Sequence, residues 1–172
     1  MRPIEICRGL GTERILSIAE ELNSAQLKAT LHKGAVSTKV ASSVVSQKAR
    51  RRIFTERLQS GLTADNNGVA DSLLYEWLLH HRRPMLVDYL DRIGVRHQAG
   101  ETEESFTRTV PPETLRTAAR ELARKWPPAE AAAYVLYLDH HQDSHVYGDD
   151  QDIVKWLGVP AEPAAPAAAP PA

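Results

Sequence analysis

Residues 71–94 read DSLLYEWLLHHRRPMLVDYLDRIG, and residues 111–138 read PPETLRTAARELARKWPPAEAAAYVLYL. In the first stretch Leu73, Leu74, Trp77 and Leu78 fall on one side of a helix, because helical neighbours recur three and four residues apart. Pro84 is expected to stop or kink that helix. A second stripe follows in Leu86, Tyr89, Leu90 and Ile93, closed by Gly94, a residue that tolerates the left-handed backbone of a helix end. Leu115, Ala118, Ala119, Leu122 and Trp126 make a third stripe, and the apolar run 131–138 a fourth. Four such stripes predict an all-α protein. The expected architecture is a small helical bundle, preceded by an N-terminal helical module and followed by a disordered Pro/Ala-rich C-terminal tail.

Working outward, the front of the chain predicts three helices. Thr12 caps the first, which runs to about Leu22 with Ile15, Ile18 and Ala19 inward. Asn23 and Ser24 supply a turn and cap for a short helix carrying Leu27 and Leu31, stopped by Gly34. Ser37 or Thr38 then caps a long helix over 39–60, with Val40, Val44, Val45, Ile53, Phe54 and Leu58 on its apolar side and Gly61 at its end. Residues 61–70, GLTADNNGVA, read as a linker, and 97–109 as the longest loop of the rear part, with Glu101, Glu103 and Glu104 along it. The divisions expected are a basic module over 1–60, the linker, a bundle over 71–157 and a tail over 158–172. Pro111-Pro112-Glu113 and Pro127-Pro128-Ala129-Glu130 each open a helix, since proline in a first turn forfeits no hydrogen bond. A last short helix spans 151–157, with Asp149 or Asp150 as its cap and Gly158 as its stop.

The 172 residues, 42% of them hydrophobic, are enough for one cored domain. The longest wholly apolar run, 131–138, is far short of the roughly 20 residues that a membrane helix needs. No apolar leader follows Met1, and the single Cys7 rules out an internal disulfide. These features predict a cytoplasmic protein without a membrane partner. Residues 1–60 carry 11 Lys and Arg against 5 Asp and Glu, a net of +6, while 61–172 carry a net of −7. Either the two parts dock on each other or the front meets an anionic partner.

Two chemistries are open to these residues. His80, His81, His141 and His145, with Asp139, offer a divalent-metal set: continued helix would put His141 and His145 on one face. Lys48, Arg50, Arg51, Arg52 and Arg57 offer a contact surface for nucleic acid or another partner. The sequence before them looks somewhat like a helix-turn-helix, with Gly34 at the turn one residue out of place. No nucleophile elbow, HExxH or glycine-rich phosphate loop is present, so no catalytic residue and no cofactor is assigned. The expected function is a helical protein-interaction or adaptor module without an evident catalytic site, acting on another protein or on its own copy; the alternatives are a nucleic-acid-binding protein and a His-based metal-binding bundle acting as an enzyme. Trp77, Trp126, Trp156, Tyr75, Tyr134 and Tyr137 are more aromatics than one helix pair buries, and some of them are candidates to line a groove.

Overall fold

The computed structural model describes residues 1–39, 46–102 and 105–158, so the expected tail over 158–172 lies outside them but for Gly158. Within the described residues eight helices pack together, with no strand beyond an isolated bridge between Gln98 and Glu101. The all-α reading is correct. The helices are α1 (Pro3–Glu21), α2 (Ser24–Lys33), α3 (Gln47–Thr63), α4 (Asn67–His81), α5 (Arg83–Arg92), α6 (Pro112–Lys125), α7 (Pro128–Gln142) and α8 (Gln151–Trp156).

Helix α4 is the hub, with α1, α2, α3 and α5 all packed on it. Its predicted stripe is buried, Leu73, Leu74 and Trp77 completely so. Helix α7 is the second centre and touches α1, α6 and α8. Because α1 packs on both α4 and α7, residues from the front and rear of the chain share one continuous core. Leu157, just past α8, covers α1 so closely that a Cβ on Gly9 would lie 2.7 Å from its Cδ1.

Several boundaries differ from expectation. Helix α1 begins at Pro3, not Thr12: proline sits in the first turn, and the Glu5 carboxylate accepts the Arg2 backbone N–H at 2.8 Å. The segment before Thr12 buries Ile4, Ile6, Cys7 and Leu10, and the helix kinks at Gly11, whose φ of 78° a side-chain-bearing residue rarely adopts. Helix α3 begins at Gln47, where the Ser46 hydroxyl accepts the Ala49 N–H at 3.2 Å, and 37–39 are not helical. Val40, Val44 and Val45 lie outside the described residues. Pro84 opens α5 instead of merely ending α4. Residues 61–63 are the last turn of α3, and Asn66 caps α4 through Val69 N–H at 3.1 Å. Gly34 is fixed by close approach: a Cβ there would stand 2.2 Å from Val69 Cγ2.

Cys7 lies on the buried side of α1 with 3% exposure, and burial pushes its thiol up to about 12. A thiol held protonated is a poor nucleophile. Native protein at pH 8 is therefore expected to resist Ellman's reagent and to react at one thiol per chain in urea. Rapid native labelling would contradict this burial.

Candidate functional site

The five basic residues singled out on α3 do not form a free stripe. Arg51 donates to the Ala19 carbonyl at 3.2 Å and to that of Glu20, so it caps the end of α1. Arg57 donates to the carbonyls of Ser37 at 2.6 Å and Lys39 at 3.0 Å. Arg52 pairs with Glu56 at 2.8 Å on an exposed face. Lys48 and Arg50 are exposed and make no ion pair among the described residues. The described residues end α2 at Lys33, leave 37–39 non-helical and begin α3 at Gln47, and the Val40–Val44 part of the expected helix-turn-helix lies outside them. Arg51→Ala is expected to cost about 1–2 kcal/mol in urea unfolding, since it uncovers helix-end carbonyls, while Arg52→Ala leaves the midpoint unmoved. Equal effects would refute the capping role.

The five metal candidates are not brought together either. Helix α7 stops at Gln142, Asp143 takes a left-handed φ of 49°, and His145 lies beyond it, so His141 and His145 do not share a helical face. The cause is Asp139. Its buried carboxylate accepts from Ser144 Oγ at 2.5 Å and from the N–H groups of Val146 at 2.7 Å and Gly148 at 2.9 Å, folding the chain back. His80 lies 3.4 Å from Glu76, His81 is 3.5 Å from Gln26, and His145 is 3.4 Å from Asp143. His141 bonds Asp71 at 2.9 Å, which holds that carboxyl below the usual carboxylate range. Among the described residues no group of three or more His, Cys, Asp or Glu could hold a metal ion.

A charge cluster that the sequence reading missed joins α1, the α4–α5 corner and α7. Glu130, almost wholly buried, receives Arg14 and also Arg82 Nε at 2.5 Å. Glu21 receives Arg82 at 2.8 Å, Arg14 at 3.5 Å and the Trp77 indole N–H at 3.2 Å. Both guanidiniums lie over the Trp77 ring, 5.4 Å and 5.1 Å from its centroid. Two positive and two negative charges cancel there, so the cluster is a neutral knot. The sequence signal was Glu130 in a first helical turn, which by itself says only that it complements the helix dipole.

A groove of about 580 Å³ lies between α4, α5, the end of α7 and the loop residues Gly100, Glu101, Thr102, Ser105 and Arg108. Leu78, Leu79, Leu86, Tyr134, Tyr137 and Leu138 give it an apolar lining. Tyr75 stands on its rim, 39% exposed, with the Lys33 ammonium 4.6 Å from its ring centroid. Three of the six aromatics named from sequence thus line it, whereas Trp77 is core and Trp126 donates to Asp88 at 3.1 Å. Glu101, Ser105, Arg108, His141, Gln142 and Asp143 supply the polar edge. Gln142 fixes the loop to α7 by accepting the N–H groups of Phe106 and Thr107, both at 3.2 Å. Tyr134 meets Tyr89 edge-on at 5.5 Å, and burial raises its pKa, so its hydroxyl stays protonated. No protein-family model, curated protein or solved structure matches this chain.

Proposed function

We propose that the protein is an interaction module that docks a partner protein in the groove between α4, α5 and α7. The observation that carries the reading is Tyr75: of the large hydrophobics among the described residues it is the one left exposed, and it stands on the rim of an apolar groove. An aromatic at the edge of a desolvated pocket has the character of a binding hot spot, and removing such a residue costs about 2 kcal/mol or more. The groove's polar edge lets an apolar anchor enter while the surrounding groups stay hydrated or paired.

Tyr75→Glu is expected to leave the melting temperature in place, because the ring is exposed, and to weaken partner binding about thirtyfold. The check is capture of a partner on the full chain and on Tyr75→Glu and Arg52→Glu forms, followed by titration with the purified partner. Loss with Tyr75→Glu and none with Arg52→Glu supports the groove, and a second copy of this chain is included as a titrant. The opposite pattern overturns it. So does sub-micromolar binding to mixed-sequence DNA that collapses with salt and with Lys48→Ala/Arg50→Ala, which would favour a nucleic-acid-binding protein.

A further inference from the structure

The groove holds bonding capacity that the fold leaves unused. Arg108 lines it, is exposed, and makes no hydrogen bond or ion pair among the described residues. Gln142 has its Oε1 turned to two backbone N–H groups, which fixes the orientation of the amide and leaves its Nε2 donors without an acceptor among the described residues. The buried hydroxyl of Tyr134, a residue 2% exposed that also lines the groove, has no partner among the described residues. Two of these three are obligate donors, and one of them carries a positive charge. Of the carboxylates described on the same edge, Glu101 lies 3.8 Å from Arg83 and Asp143 lies 3.4 Å from His145.

Building on the docking reading above, we propose that the partner enters by its chain end, laying an apolar last residue on the groove lining while its α-carboxylate pairs with Arg108 and the Gln142 amide. A guanidinium presents parallel N–H donors that match the two oxygens of a carboxylate, and an adjacent amide can add a third bond. The placement follows from the loop anchor: Gln142 holds the backbone of Phe106 and Thr107, and Arg108 is the next residue. Donors and apolar lining therefore open onto one cavity. A last residue such as Leu or Ile offers both matching features on a single Cα, an apolar side chain and a full negative charge. The volume suits this, being that of a site for a few side chains, not for a whole helix. Capture of a terminal carboxylate by convergent donors is an established mode of peptide recognition.

Fluorescence anisotropy on the full chain tests this with fluorescein–Gly-Ser-Gly-Ser-Ile-Leu as the free acid and as the C-terminal amide. The amide is expected to bind about tenfold more weakly, the loss of a charge-assisted contact. Arg108→Gln should bring the acid down to the level of the amide with no change in melting temperature, and Arg108→Lys should retain part of the difference. Equal affinity of acid and amide overturns the proposal and leaves the docking reading standing, because partner capture and Tyr75→Glu test that separately. Failure of both peptides to bind also overturns it. Displacement of the acid peptide by decanoate at far lower concentration would assign the groove to a free fatty acid instead. Tighter binding by a peptide of residues 159–172 would assign it to that segment of this chain instead.

Discussion

Trp77→Ala is expected to lower unfolding free energy by about 3–5 kcal/mol, a large share of what holds a domain this size together. The indole is completely buried at the centre of α4, on which four other helices pack, so truncation opens a cavity that no single neighbour can fill. It also removes the N–H that Glu21 accepts at 3.2 Å and the ring on which two guanidiniums rest. Trp77→Phe separates these contributions, since it keeps an aromatic face but no indole donor, and about 1–2 kcal/mol should be lost. Urea unfolding followed by circular dichroism is the measurement, because the mutation removes a fluorescent reporter. An unmoved midpoint for Trp77→Ala would mean the helix does not occupy the centre of the fold.

Glu130→Ala should be about as damaging, at roughly 3–5 kcal/mol, through a different physical route. Its side chain is 6% exposed and balances Arg14 and Arg82, which are themselves largely covered. Removing the carboxylate strands two cations near a single remaining acid, Glu21, in a place where water cannot readily solvate them. The comparison that isolates this effect is the pair Arg14→Met/Glu130→Leu. Taking out a cation with its anion should lose less than the sum of the single changes, because apolar replacements of similar size need no counter-charge. Strict additivity would show that the two residues do not act as a pair. The loss should also be nearly independent of salt, unlike that of an exposed ion pair.

The helical stripes were legible because burial on a helix imposes a period, and 73, 74, 77 and 78 obey it whatever surrounds them. What the pattern hid were choices settled by tertiary contact. Pro84 signals a boundary in either direction, and only the geometry around Arg82 shows that a helix starts there. Residues 37–39 carry good caps, yet Ser46 is the cap used. His145 seemed to continue α7 because no glycine or proline intervenes, whereas the actual stop is a carboxylate reaching forward from Asp139. The groove was half visible. Its tyrosines stood out by number, but Arg108 and Gln142 are ordinary polar residues that gain meaning only where a loop is pinned beside a helix end.

The seating of Leu157 on Gly9 bears on how the chain can be made. Helix α1 is covered by α4, α7 and finally the end of α8, so its apolar side has no complete shelter until residue 157 has been synthesised. At ordinary elongation rates that leaves on the order of ten seconds in which Ile4, Ile6 and Leu10 are produced but not enclosed. The closing step joins residues almost as far apart in sequence as the described chain allows, which is the kind of contact that slows folding most. Nascent chains stalled before α8 should therefore bind hydrophobic-surface chaperones that the released protein ignores.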